Sequence, residues 1–267
     1  MPIICPLCQS KLQQEKTRWI CEHGHSFDVA KQGYVNLLPV QHKNSKNPGD
    51  TAEAVAARRA FLQAGFYEPL REVLMQKLAA MSPTRVLDLG CGEGYYTSGM
   101  SAIAKEVIGL DIAKPAVQIA AKRYPTITWL VASGAKLPIA SGALTIVCSF
   151  FSPLPREEMA RVLTPEGHLV VATPATEHLL QLRAALFDQV NPHQPEKFIE
   201  VLSASFQLIE QQTVSYPLRL NSAALKQLLA MTPYAWKAKA EKREQLEQRE
   251  EFLTQASFQV YVFKKME

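Results

Sequence analysis

Val86-Leu87-Asp88-Leu89-Gly90-Cys91-Gly92-Glu93-Gly94-Tyr95-Tyr96-Thr97 is the stretch from which the rest of the chain can be read. The apolar residues before Gly90 read as the end of a buried parallel strand. The G-x-G-x-G run that follows is a turn needing backbone without Cβ atoms. Such a turn predicts something large lying against it. Tyr95 to Ile103 then reads as a helix whose first N–H groups face a bound ligand. Asp111 comes 23 residues after Asp88 and closes Glu106-Val107-Ile108-Gly109-Leu110-Asp111, a second short apolar run. That spacing fits a βαβ unit whose second strand carries a carboxylate for two ribose hydroxyls.

Two cofactor classes use this arrangement, and the glycines choose between them. Dinucleotide sites carry G-x-G-x-x-G against a pyrophosphate, whereas here the third glycine comes one residue early and an acid, Glu93, sits in the turn. A negative charge suits a cationic cofactor better than a diphosphate. The D-x-G-x-G-x-G pattern resembles motif I of Rossmann-like S-adenosylmethionine (SAM) methyltransferases. Asp88, Gly90, Gly92, Glu93 and Asp111 are therefore candidate SAM-binding residues. The expected fold class is α/β, with a Rossmann-like class I methyltransferase sheet.

Composition sets the frame around that motif. A chain of 267 residues with 20% charged residues and a net charge of +4 is globular and only mildly basic, which permits nucleic acid as a partner without arguing for it. No apolar run reaches the length of a membrane span and no basic region precedes an apolar leader, so a cytoplasmic protein without a membrane partner is expected. Three of the five cysteines fall within the first 21 residues. That is not the even framework of a secreted disulfide protein, and it points to reduced thiols or metal ligands.

Those cysteines define a unit of their own. Cys5-Pro6-Leu7-Cys8 is a C-x-x-C knuckle, and Cys21, His23 and His25 follow it. Two close thiolates from one turn and a second pair from another supply the soft donors a tetrahedral zinc needs. Cys5, Cys8, Cys21 and His25 are the expected ligands, with His23 the alternative to His25. Trp19, Ile20 and Phe27 can supply the small apolar core of such a ribbon. Residues 1–35 read as a zinc-binding domain, 36–50 as a linker and 51–267 as the methyltransferase domain. The polar, turn-rich run from Gln41 to Asp50 and the neighbouring Arg58 and Arg59 offer cations, and Lys43, Lys46, Arg58 and Arg59 are candidate phosphate contacts.

Beyond the linker, Thr51 to Ala80 reads as two helices broken at Gly65. Thr126 to Val131 and Ala143 to Phe150 read as the third and fourth strands, and His168 to Ala172 as the fifth. Ser133, just past the third strand, stands where methyltransferases commonly touch adenine, although the usual acid is absent. Phe151, Ser152 and Pro153 follow the fourth strand, at the carboxyl edge where doubly wound sheets bind ligands. Phe206 to Tyr216 and Phe258 to Lys264 alternate as a closing antiparallel pair.

With these segments located, the whole chain resembles the bacterial 23S rRNA guanine-N1 methyltransferases. The segments carrying the resemblance include Cys5-Pro6-Leu7-Cys8, Gly33-Tyr34-Val35-Asn36-Leu37-Leu38-Pro39, Pro48-Gly49-Asp50, Arg58-Arg59-Ala60-Phe61-Leu62, the glycine turn, and Met231-Thr232-Pro233-Tyr234-Ala235-Trp236. The resemblance implies zinc on Cys5, Cys8, Cys21 and His25, and SAM contacts at Tyr67, Gly92, Glu93 and His178. It also implies a homodimer, a 23S rRNA hairpin as partner and methyl transfer to guanine N1. Where relatives show a Tyr-Ala-Pro-like run, this chain has Phe151-Ser152-Pro153. Methylation of another RNA or a small molecule, and zinc-dependent RNA binding without catalysis, are the alternative functions.

Overall fold

The computed structural model describes residues 1–39 and 48–266. Three short antiparallel strands, β1 (Leu12–Gln14), β2 (Arg18–Cys21) and β3 (Ser26–Asp28), form the N-terminal ribbon. The main sheet is built from β4 (Tyr34–Asn36), β5 (Arg85–Leu89), β6 (Glu106–Asp111), β7 (Thr128–Val131), β8 (Leu144–Phe150), β9 (Leu163–Pro174), β10 (Phe206–Asn221) and β11 (Glu251–Lys265). Its order is β10-β11-β9-β8-β5-β6-β7-β4. β11 is antiparallel to both β9 and β10, and the strands from β9 to β4 run parallel. The first strand beside the linker thus belongs to the large sheet: Tyr34, Val35 and Asn36 pair with Trp129, Leu130 and Val131.

Alternation along the parallel strands divides the core in two, because successive side chains point to opposite faces. Val86, Ile146, Cys148 and Val170 belong to one face and Leu87, Ile108, Val147 and Leu169 to the other. Over the first face lie α1 (Ala52–Gln63), α2 (Glu68–Ala80), α3 (Tyr95–Met100), α4 (Lys114–Arg123), α6 (Leu180–Leu186) and α8 (Ser222–Ala230). The second face is covered by α5 (Arg156–Val162), α7 (Lys197–Leu202) and the zinc ribbon, whose Ile3, Leu12 and Trp19 are buried in that cluster. Backbone bonds fix the docking: Ile4 N–H donates to Pro138 O at 3.0 Å and Ala140 N–H to Pro2 O at 2.8 Å.

The helical roof has identifiable stops. Thr51 Oγ1 caps α1 by accepting from Ala54 N–H at 3.2 Å, and Gly65, at φ +85°, supplies the left-handed residue that separates α1 from α2. Tyr67 follows as the residue at the entry to α2. Two short helices, α9 (Tyr234–Lys237) and α10 (Ala240–Glu247), precede the last strand. No helix among the described residues is long and apolar enough to cross a membrane.

Candidate active site and metal centre

All three glycines of the turn adopt left-handed backbone, with φ of 78°, 56° and 87° at Gly90, Gly92 and Gly94. Their surroundings differ. A Cβ on Gly90 would lie 2.4 Å from Cβ of Ser152, and one on Gly94 would lie 2.7 Å from Cη2 of Trp129. At Gly92 nothing stands within 4 Å. What lies against the turn at Gly90 and Gly94 is the protein's own side chains, and of the three glycines only Gly92 faces open space.

Asp111, at the end of β6, is joined to that glycine. Its Oδ2 accepts from Gly92 N–H at 2.9 Å and its Oδ1 from Ala113 N–H at 2.7 Å. Each carboxylate oxygen has two lone pairs, so both retain capacity for further donors such as a pair of ribose hydroxyls. Ser133 lies beyond β7, where Ala132 N–H donates to the Asp111 carbonyl at 3.1 Å. Its Oγ accepts from Ala135 N–H at 3.2 Å, which shapes the loop past the strand.

Three acids surround the turn with little solvent. Asp88 is 2% exposed and accepts from Thr97 Oγ1 at 2.5 Å. Burial pushes its pKa up to about 7, and the charges of Asp111 and Glu93 push the same way. Burial also raises Glu93, against the pull of Arg58 and Arg59, and raises Asp111 against its two backbone donors. A cation bound among these desolvated carboxylates would favour their charged forms. A ligand carrying a sulfonium and an ammonium fits that donor set, and a diphosphate does not.

Asp88 gives a signed pH expectation. Its folded pKa of about 7 exceeds the ordinary 3.8, so between those values the folded chain holds a proton that the unfolded chain has released. Its contribution to stability is complete below the lower value and is lost as pH rises through the upper one. The ligand-free melting temperature of wild type, relative to Asp88→Asn, should therefore decline between about pH 4 and pH 7 and level off above that. Parallel melting profiles for the two proteins would refute the assignment. His178 has the opposite sign, because burial lowers its pKa to about 3 and stability is lost as the pH falls below 6.5.

Above the carboxyl ends of β5, β8 and β9 sits a chamber of rings. Phe258 is at its centre, with ring centroids 4.8 Å from Tyr67, 4.7 Å from His178 and 5.5 Å from Phe151. Tyr96 joins it through Phe150 at 5.3 Å and Phe151 at 6.4 Å. The structure thus brings Tyr67 and His178 together, 6.3 Å apart, although 111 residues separate them in sequence. His178 Nδ1 accepts from Ser257 N–H at 3.2 Å. That bond places the ring proton on Nε2 and makes His178 a neutral imidazole with one donor free of the Ser257 bond. Phe151 and Leu179 hold left-handed backbone, with φ of 59° and 52°. Non-glycine residues in that conformation gather at functional sites.

Neither the place of Phe258 in the site nor the partnership of Ser152 with Gly90 is evident from the amino-acid sequence. Ser152 Oγ donates to Leu89 O at 2.7 Å and lies 2.7 Å from Ser149 Oγ, so the hydroxyl pins the loop after β8 to the start of the glycine turn. A small residue at 152 was the one signal in the sequence. Phe258 carries none, because only the β9–β11 pairing, which sets it opposite Pro174, brings it to the site.

Among the candidate phosphate contacts, Arg58 is committed elsewhere. It forms a 2.5 Å ion pair with Asp50 and donates to Met231 O at 3.5 Å, because α1 packs between the end of the linker and α8. Arg59 is exposed on the same helix. Lys43 and Lys46 lie outside the described residues.

At the other end of the molecule, donor atoms of Cys5, Cys8, Cys21 and His25 all lie within 4.8 Å of one another. Cys8 Sγ is 3.6 Å from Cys21 Sγ, and His25 Nδ1 is 3.4 Å from Cys21 Sγ and 3.6 Å from Cys5 Sγ. His23 instead turns its Nδ1 toward Ser10 Oγ, 3.4 Å away. The Ser10 hydroxyl holds the Cys8 thiol at a pKa of about 5, so a thiolate is ready at neutral pH. Three thiols and one imidazole at these separations can hold a tetrahedral zinc.

Known proteins agree with both halves of this description. A family model described as the RlmA N-terminal zinc ribbon matches residues 3–46, and one described as a methyltransferase domain matches residues 86–167. The 23S rRNA (guanine(748)-N(1))-methyltransferase of Streptomyces fradiae is 37% identical, over 87% of this chain and 85% of its own length. A protein of Micromonospora griseorubida, provisionally named for guanine-N1 methylation of 23S rRNA, is 34% identical over 87% of this chain and 86% of its own length. The YcgJ protein of Bacillus subtilis superposes with a TM-score of 0.52 at 19% identity, over 74% of this chain and 98% of that one, and shows the fold alone. The architecture is the class I methyltransferase Rossmann-like fold with an N-terminal zinc ribbon. The chain belongs to the 23S rRNA (guanine-N1)-methyltransferase family.

Proposed function

We propose that this protein transfers the methyl group of SAM to N1 of a guanine in a hairpin loop of 23S rRNA. The observation that carries the reading is the open backbone at Gly92, bonded to Asp111 and ringed by buried acids, within a chain whose relatives are named for this reaction. SAM supplies the electrophilic methyl. Asp111 would receive the ribose hydroxyls, with Ser133 near the adenine. Gly92 and Glu93 would hold the amino acid end over Asp88 and Gly90, and Tyr67 and His178 would wall the far side. Phe151, Phe258 and Tyr67 exclude water from the path of transfer, and orientation of N1 along that path supplies much of the acceleration.

Neutral guanine carries a proton at N1 that must leave as the methyl arrives. His178 cannot take it while Nδ1 accepts from Ser257 and Nε2 bears hydrogen. It can donate from Nε2 to an oxygen on which charge develops. The target base must also leave its stack, which a hairpin loop makes easier than a duplex. On this reading zinc on Cys5, Cys8, Cys21 and His25 holds the ribbon that recognises RNA. The homodimer rests on the family resemblance. The cytoplasmic setting is supported by Cys91 and Cys148, both buried and unpaired in disulfides.

The direct test is incubation with labelled SAM and large-subunit RNA from cells lacking the modification, followed by digestion to nucleosides. Label should appear in 1-methylguanosine. Label in another nucleoside, in protein or in a small molecule would redirect the assignment, and binding of SAM and RNA without transfer would reject catalysis.

A further inference from the structure

One hydroxyl in the ring chamber has nothing to bond. Tyr96 is 9% exposed, and its Oη is buried without a hydrogen-bond partner among the described residues. Two neighbouring phenols are satisfied: Tyr95 Oη donates to Glu68 Oε2 at 2.5 Å, and Tyr216 Oη donates to Phe66 O at 3.0 Å. Orphaned buried donors are few in folded proteins because each forfeits its bond to water, and one lying in a site points to a ligand acceptor. The ring is fixed by Tyr95 at 5.0 Å and Phe150 at 5.3 Å, so the hydroxyl has little freedom to seek another partner. Its remaining ring neighbour, Phe151, 6.4 Å away between centroids, is 43% exposed, so this side of the ring is the one nearest solvent.

The identity of the acceptor follows from charge. Burial, with Tyr67 and Glu93 among the groups acting on it, keeps the phenol protonated and therefore a donor. Glu93, three residues before Tyr96, is assigned above to the cofactor's amino acid end, which carries one ammonium and one carboxylate. Glu93 suits the ammonium. The carboxylate needs a donor that brings no further negative charge into a site already crowded with acids.

We propose that Tyr96 Oη donates a hydrogen bond to the α-carboxylate of bound SAM, an assignment that rests on the SAM reading above. Tyr96→Phe removes the oxygen and keeps the ring. Calorimetry on the full chain should show SAM and S-adenosylhomocysteine binding about tenfold more weakly in the variant, since hydrogen bonds to charged groups are worth that much. Methylthioadenosine, which lacks the amino acid end, should bind both proteins alike. The ligand-free melting temperature should be equal or slightly higher, because the lost hydroxyl was unpaired. Equal weakening for methylthioadenosine would overturn the proposal by making the effect one of ring packing. Unchanged SAM affinity with slower methylation of RNA would overturn it in favour of a contact to guanine O6. If wild type bound none of the three ligands, the SAM reading itself would fall, a result distinct from either.

Discussion

Cys21→Ser, or removal of metal by a chelator, is expected to abolish methylation of 23S rRNA by at least about 100-fold while SAM affinity changes little. The ribbon cannot hold its shape alone. Its strands are 3, 4 and 3 residues long, too short for an independent sheet, and its interior is little more than Trp19, Leu12 and the ligand-bearing turns. Binding of a structural zinc in such a module is folding free energy. The loss will not stay local, because Ile3, Leu12 and Trp19 are buried against the same face of the main sheet as Leu130 and Ile139. A melting temperature lower by about 10 °C, corresponding to roughly 3 kcal/mol in a chain of this size, is therefore expected for the whole protein. His23→Ala is the control and should keep its metal, its stability and its RNA activity. Retention of zinc by Cys21→Ser, or equal damage from His23→Ala, would sink the ligand assignment.

The choice between those histidines marks the limit of what spacing can say. Two thiols in C-x-x-C and a third beside two histidines are legible as a metal site without any fold. Which imidazole enters depends on the turn between β2 and β3. There Cys21 N–H donates to His25 O at 3.1 Å, and Gly24, at φ 79°, folds the chain back so that residue 25 returns over residue 21. His23 is left at the tip. The βαβ unit was legible for a similar reason: apolar runs, glycines and a terminal acid all act within a short stretch of chain. What escaped is non-local. Ser152 under Gly90, Trp129 under Gly94, Phe258 between Tyr67 and His178, and Arg58 tied to Asp50 each depend on strands or helices meeting from distant parts of the sequence. The pairing of Tyr34–Asn36 with β7 is of the same kind. Residues 36–50 carry turn formers and cations, and nothing in that composition announces that the preceding segment is a sheet edge.

Within the turn, alanine should separate folding from binding. Gly92→Ala places its methyl in open space, and its cost to the fold is that of a left-handed alanine alone, about 1 kcal/mol, or a melting temperature lower by a few degrees. That open space is where the cofactor is proposed to lie against Asp111, so SAM affinity should drop by at least about 100-fold, the steric equivalent of roughly 3 kcal/mol. Gly94→Ala meets a different neighbour. Its methyl would stand 2.7 Å from Cη2 of Trp129, 3.2 Å from Cδ2 of Tyr124 and 3.3 Å from Cβ of Ala120. Trp129 cannot retreat, because it is fully buried, its Nε1 donates to Tyr124 O at 2.8 Å and its ring also lies against Gly109. Overpacking of about 1–3 kcal/mol then adds to the backbone cost, and Gly94→Ala should lose about 5–15 °C in melting temperature. Thermal melts and SAM titrations of the two variants give the comparison directly. Loss of stability in Gly92→Ala with SAM binding retained would mean that the turn faces protein at residue 92 as it does at 90 and 94, and that the cofactor lies elsewhere.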